Sequence, residues 1–233
     1  RLEAFIAARR TGAVTEHVDA ANRQHYEVPT AFYEVVLGPH RKYSSAWWPE
    51  GVNDLESAER AMLQQTCEHA QLAPGQRILE LGCGWGSLTL WMAEHYPGSE
   101  ILAISNSTTQ REYIEQQVSL RGLRNVTVQT VDVAEFQAPA RFDRIVSVEM
   151  LEHVRNHGEL LGRVARWLEP DGRFFAHVFS HREVAWSYEH EATSDWMARW
   201  FFTGGIMPSD DFLARVTTDL VEVNRWRYSR APY

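Results

Sequence analysis

Arg77-Ile78-Leu79-Glu80-Leu81-Gly82-Cys83-Gly84-Trp85-Gly86-Ser87 is the stretch from which the rest of the chain can be read. Its aliphatic opening reads as a buried strand, and three glycines at alternate positions break that strand into a turn. A helix should begin at Ser87. Glycine is needed where the backbone takes positive φ or a ligand lies against it, and the first turn of a helix offers unpaired N–H groups. The stretch therefore predicts a strand, a ligand-cradling turn and a helix.

The surrounding composition narrows the ligand. A formal charge of −8 leaves no basic stripe for a phosphate backbone, so no nucleic-acid partner is expected. The 233 residues are enough for one α/β domain and an accessory segment. Cys67 and Cys83 match no zinc spacing, which predicts no metal and a reducing, cytoplasmic setting. No apolar run approaches the roughly 18 residues of a membrane span, so no stable membrane insertion is expected. Oligomeric state is left open, a homodimer included.

Strand and helix signals alternate along the chain. Residues 1–21 read as an amphipathic helix interrupted by Gly12, and residues 29–37 as a short helix closed by Gly38-Pro39. Asn53 or Asp54 should cap a helix over residues 55–72. After the glycine turn, strands are expected at residues 101–104, 126–131, 142–148 and 173–179, with helices between them. Residues 180–208 interrupt this rhythm with aromatics and the Gly204-Gly205 pair, and read as a lid. Ser209 should cap a helix to Leu220, and residues 221–226 read as a sixth strand.

The fold class that follows is α/β: a Rossmann-like, doubly wound, mostly parallel sheet with an N-terminal helical arm and an aromatic lid insertion. The expected division is an arm and cap over residues 1–75, a cofactor-binding core over 76–179, the lid over 180–208, and a C-terminal helix and strand of the core over 209–233. Ligands in such sheets lie at the carboxyl ends of the strands, where Gly82, Asn106, Asp132, Glu149 and His177 fall.

Glycine spacing separates two cofactor classes. A dinucleotide turn has GxGxxG and an acid roughly 20 residues on. Here the spacing is GxGxG, Ser87 stands where a third dinucleotide glycine would fall, and the second strand ends in neutral Ser105-Asn106. An acidic strand leading into GxGxG suits the cationic sulfonium and amino groups of S-adenosylmethionine, the expected cofactor.

Glu149, Glu152 and His153 stand at i, i+3 and i+4 beyond the fourth strand, and on a helical turn they would share one side. Methyl transfer to an amine needs a free lone pair, yet an alkylamine with a pKa near 10 is protonated at neutral pH. Carboxylates at 149 and 152 would attract that cation, and Glu152 or His153 would accept its proton. Zinc motifs of the HxxEH type need a histidine where Glu149 stands.

Further stretches carry a resemblance: Gln24-His25-Tyr26-Glu27-Val28-Pro29, Lys42-Tyr43-Ser44, the glycine turn, Ile104-Ser105-Asn106-Ser107 with Gln110, Glu149-Met150-Leu151-Glu152-His153, His177-Val178-Phe179-Ser180-His181, and the run from Asp195 to Ser209 containing Phe201-Phe202-Thr203-Gly204-Gly205. With these the chain resembles the coclaurine N-methyltransferase group of the cyclopropane fatty acid synthase superfamily, class I methyltransferases that use S-adenosylmethionine. The resemblance implies cofactor contacts from Tyr43, Ser44, Gly82, Cys83, Gly84, Gly86, Ser105, Asn106, Gln110, Asp132 and Val133. It also implies catalysis by Glu149, Glu152 and His153 on a small-molecule amine, with Ser45, His177, Trp200 and Phe201 on the substrate side. His177 is read either as a satisfied core histidine or as a substrate-facing one.

The rival activity within that superfamily is methylene transfer to an unsaturated lipid. Those enzymes carry a cysteine at the position of Ser45 and a late HYxRT segment, which this chain lacks; Tyr233 is a loose counterpart. A third reading is a catalytically idle S-adenosylmethionine-binding domain. The group continues past the sixth strand into another helix and a final strand, so the C-terminus is expected to be incomplete.

Overall fold

In the computed structural model the described residues are 2–15, 30–189 and 196–228. The expected motif at residues 24–29, together with Asp195 and Tyr233, lies outside them. Five parallel strands form the central sheet: β1 (Arg77–Leu81), β2 (Glu100–Ser105), β3 (Val126–Thr130), β4 (Phe142–Val148) and β5 (Leu168–His177), in the order β3-β2-β1-β4-β5. Helices α3 (Leu55–His69), α4 (Ser87–His95), α5 (Thr108–Leu120) and α6 (His157–Trp167) accompany them.

The central strands are near-continuous apolar runs because a parallel sheet is covered on both faces. Side chains alternate across β1: Leu79 and Leu81 join Ile104, Ile145, Leu160 and Val164 on the α6 side, while Ile78 joins Leu63, Met92 and Ile101 on the α3 and α4 side. β1 pairs with β2 on one edge and β4 on the other, Leu81 standing between Ile104 and Ser147. Strand order reverses at that pair, and the chain leaves in opposite directions from the carboxyl ends of β1 and β4. This opens the crevice in which the candidate site lies.

α3 starts where expected, with the Asp54 side chain accepting the Ser57 N–H at 2.8 Å. The arm contains α1 (Leu2–Ala8), then Gly12 at φ 85, and Val14, whose carbonyl accepts the Arg155 N–H at 2.8 Å. A second short helix, α2 (Thr30–Val36), precedes the loop to α3. In the lid, β6 (Trp186–Ser187) pairs antiparallel with β7 (Ile206–Met207), and residues Met197–Phe201 form a π-helical turn.

Two C-terminal expectations are corrected. The helix is α7 (Phe212–Val216), with Asp211 at its N-cap in place of Ser209, and it stops well short of Leu220. Residues 221–226 form no strand. Val221 is 86% exposed, so the valines that suggested alternation point to water and bury nothing. Side chains hold this segment instead: Arg225 and Arg227 both reach Asp210, and Trp226 stacks on His69 at 3.8 Å.

Candidate active site

The crevice holds a cavity of about 690 Å³ lined from the carboxyl ends of β1, β2 and β4, the loop after β3 and the lid. Its two ends differ in chemistry.

The first end is built by the glycine turn. Gly82 and Cys83 both donate their N–H groups to the Ile104 carbonyl, at 3.1 and 3.0 Å, which pins the turn to β2. Gly82 has φ 75, and a Cβ there would stand 2.5 Å from Met150 Cγ. Gly86 has φ 77 and faces away from the cavity, where a Cβ would stand 2.6 Å from Ile114 Cγ1. Of the three glycines, then, Gly82 and Gly84 line the ligand space and Gly86 seats α4 against α5.

Tyr43, Ser44, Cys83, Ser105, Asn106 and Gln110 also line this end, with Asp132 and Val133. Ser107 caps α5, accepting the Gln110 N–H at 3.3 Å. The Gln110 carbonyl oxygen accepts the Ser105 hydroxyl at 2.7 Å, which leaves its buried Nε2 without a partner. A buried unpaired donor is costly, so Nε2 is suited to a ligand acceptor such as a ribose hydroxyl or a carboxylate. Asp132 accepts the Ala134 N–H at 2.7 Å and the Thr15 hydroxyl at 3.1 Å, so its carboxylate is aimed before any ligand arrives.

Glu80 is the acid leading into the turn. Burial pushes its carboxyl up to about 8, and the only offset is the Thr89 hydroxyl, which donates to it at 2.5 Å. A carboxyl kept neutral in a lined cavity will ionise readily beside a cation. The neutral donor of Gln110 and the latent charge of Glu80 together fit the polar and cationic groups of S-adenosylmethionine.

At the other end are Glu149 and His153. Glu149 is not on a helical turn with its neighbours, as its spacing suggested: it has φ 49, and the 3-10 turn that follows covers only Leu151–His153. Left-handed backbone is strained for glutamate and is over-determined here, the Glu149 N–H donating to the His177 carbonyl at 2.8 Å. The bend sends Glu149 and His153 into the cavity and Glu152 the other way.

Glu152 is 0% exposed and does not line the cavity. One of its oxygens accepts the Phe179 N–H at 2.9 Å. Burial, and after it the charge of Glu149, pushes its carboxyl up to about 8, which favours its protonated form. The His153 ring lies 4.6 Å from Phe202, which packs on Phe179 and Tyr188. Phe179, Tyr188, Phe201 and Phe202 form an aromatic cluster that lines the same cavity as Glu149 and meets the His153 ring through Phe202.

Of the residues expected on the substrate side, only Phe201 reaches this cavity. Trp200 is 61% exposed on the outer face of the lid. Ser45 and His177 stand behind Glu149: the Ser45 N–H donates to Glu149 Oε1 at 3.3 Å, the Ser45 hydroxyl is 3.4 Å from His177 Nε2, and that nitrogen is 4.0 Å from Glu149 Oε1. Burial holds His177 well below its ordinary value, partly countered by Glu149. His177 therefore stands within 4.0 Å of the Glu149 carboxylate without lining this cavity itself.

Lys42 is a cavity residue that its sequence context does not mark. It lines the cavity, its Nζ donates to the Ser44 hydroxyl at 2.5 Å, and burial pushes it down to about 8 against the pull of Glu149 and Glu59. A lysine beside Tyr43-Ser44 in a loop gives no sequence signal of burial. Among the described residues no group of three or more His, Cys, Asp or Glu side chains is placed to hold a metal ion, and no helix is long and apolar enough to cross a membrane.

A family model described as mycolic acid cyclopropane synthetase matches residues 14–233. (S)-Coclaurine N-methyltransferase of Thalictrum flavum subsp. glaucum is 36% identical over 218 residues, 93% of this chain and 60% of that protein. Cyclopropane-fatty-acyl-phospholipid synthase of Escherichia coli strain K12 is 32% identical over 213 residues, 91% of this chain and 53% of that one. Among solved structures, coclaurine N-methyltransferase bound to N-methylheliamine and SAH superposes with a TM-score of 0.91 at 33% identity, covering 97% of this chain and 65% of that chain. The chain spans less than two thirds of the length of these relatives.

Proposed function

The chain belongs to the mycolic acid cyclopropane synthetase family, and from that premise we propose that it is an S-adenosylmethionine-dependent N-methyltransferase acting on the amine of a small, aromatic-containing molecule. The observation that carries this reading is the two-ended cavity, with Gln110, Asp132 and Glu80 around the glycine turn and Glu149, His153 and an aromatic cluster lining the rest. The similarity to coclaurine N-methyltransferase supports the amine as acceptor.

Bound S-adenosylmethionine supplies an electrophilic methyl carbon. Gln110 Nε2 and the Asp132 carboxylate orient the donor from the β2 and β3 ends, and Glu80 balances its positive charge. The acceptor arrives as an ammonium ion, since an alkylamine has a pKa near 10. Glu149 attracts it, and the aromatic faces stabilise the cation by roughly 0.5–2 kcal/mol. His153 then takes the ammonium proton and leaves the nitrogen lone pair free. Glu152, expected to share that duty, favours its protonated form and is turned away; its role in this reading is to hold Phe179 in the aromatic cluster. The buried thiols of Cys67 and Cys83 suit a cytoplasmic setting.

Incubation with isotopically labelled methyl donor, a panel of amines including 1,2,3,4-tetrahydroisoquinoline, and an unsaturated phospholipid separates the readings once products are fragmented. Label on the amine nitrogen is the expected result. Label confined to acyl chains would identify methylene transfer, and retained cofactor binding without turnover would identify an idle domain. Intact mass alone is insufficient, because both reactions add one CH₂ unit.

A further inference from the structure

Glu59 lies on α3, outside the cavity, and is only 1% exposed. Glutamate is rarely buried unless both oxygens are used. One oxygen accepts the His40 N–H at 3.0 Å and the other the Lys42 N–H at 3.4 Å. Gly38 packs so closely on the same carboxylate that a Cβ there would overlap it. The loop is further closed by the Arg41 N–H on the Gly38 carbonyl at 2.9 Å, which holds Arg41 at φ 53. A second tie to α3 follows, from the Trp47 N–H to the Ala58 carbonyl at 3.2 Å.

Between these ties the loop serves both ends of the site. Tyr43 and Ser44 line the cofactor end, and Ser45 N–H holds Glu149 Oε1 at the other. Lys42 places its ammonium group within the influence of both Glu59 and Glu149. We propose that Glu59 is a positioning residue for both ligands: its grip on the backbone of residues 38–42 sets Tyr43 and Ser44 against the cofactor and the Ser45 N–H against Glu149. An apolar residue of similar size would take the acceptor from the part-buried His40 N–H and the buried Lys42 N–H and leave the loop free to shift. The cofactor half rests on assigning the glycine-turn end of the cavity to S-adenosylmethionine, and the amine half on the function proposed above.

The test compares Glu59→Leu and Glu59→Gln with the wild type. S-adenosylhomocysteine affinity is read by calorimetry, and KM and kcat with 1,2,3,4-tetrahydroisoquinoline. Glu59→Leu should weaken S-adenosylhomocysteine binding and raise the amine KM, each by about tenfold, with a smaller change in kcat. Glu59→Gln keeps an acceptor for the His40 N–H and should recover most of both losses. A Glu59→Leu protein that melts earlier but keeps both constants within about twofold of the wild type would reduce Glu59 to a structural role and overturn the proposal. So would a Glu59→Gln protein no better than Glu59→Leu. If Glu59→Leu does not fold, Glu59→Met, similar in size and equally without an acceptor, takes its place, and the same two outcomes decide. Should the wild type leave every amine of the panel unmethylated, the amine reading fails, and S-adenosylhomocysteine affinity alone decides whether the grip matters.

Discussion

Ser45 donates its backbone N–H to Glu149 Oε1 at 3.3 Å, although the two residues come from a loop before the sheet and from the end of β4. That bond joins the loop carrying Tyr43 and Ser44 to a carboxylate lining the same cavity, so under the proposed function the charge that draws in an amine would be held by the segment that borders the methyl donor.

Replacing Glu149 with glutamine should therefore act on the amine alone. The expected outcome is an amine KM raised by roughly tenfold or more, the loss of a charged partner costing about 1.5–3 kcal/mol. S-adenosylhomocysteine affinity should stay within about twofold of the wild type, which calorimetry checks directly. Equal losses in both would show that Glu149 supports the whole site.

Gln110→Leu removes the unpaired Nε2 donor and deprives the Ser105 hydroxyl of its acceptor. Cofactor affinity should fall by about 1–3 kcal/mol, while the amine KM at saturating cofactor is unchanged. Isothermal titration with S-adenosylhomocysteine reads the first quantity and steady-state kinetics the second.

His153→Ala should lower kcat by roughly 10²–10⁴, the usual contribution of a positioned base. Without that acceptor only the neutral amine present in solution can react, so the residual rate should climb about tenfold per pH unit toward the amine pKa near 10. A residual rate with the wild-type pH profile would remove His153 from the proton path.

Glu80 makes the unliganded fold pH-sensitive in a direction opposite to that of most carboxylates. Its folded pKa of about 8 lies above the ordinary 4.5, so the native state holds a proton that the unfolded chain has released. Stability consequently falls as pH rises from near 4.5 through about 8. Glu152 adds to the slope in the same sense, its folded value also being about 8. Glu80→Gln should flatten part of the decline, read as the difference in Tm between pH 5 and pH 8; an unaltered slope would mean that Glu80 titrates normally.

Gly86→Ala should destabilise by about 1–3 kcal/mol, since it combines left-handed backbone with a Cβ driven into Ile114. Gly84→Ala meets nothing within 4 Å and should carry only the backbone cost. Adding Ile114→Val to Gly86→Ala should recover part of the loss, and denaturant midpoints measure all three.

Local chemistry made much of the fold legible. The apolar runs of β1 and β4, the Asp54 cap and the glycine turn each state their structure within a few residues, because strand burial, capping and positive φ are short-range demands. The same reasoning failed at residues 221–226, where β-branched residues alternate but no partner strand among the described residues takes them up, and at Glu149, where i, i+3, i+4 spacing implied a shared helical face.

The sequence by itself determined the parallel sheet, the GxGxG cradle and the residue types of the site, since these follow from periodicity and from the chemistry of the glycine turn. Only the tertiary structure decided which of those residues act together. The left-handed bend at Glu149 turned Glu149 and His153 inward and sent Glu152 to Phe179, and burial raised Glu80 and Glu152 while lowering Lys42 and His177. The physical reason is that charge state and side-chain direction depend on what packs from distant parts of the chain, and pairs such as Glu59 with Lys42 and Ser45 with Glu149 carry no mark of their meeting until the sheet has formed.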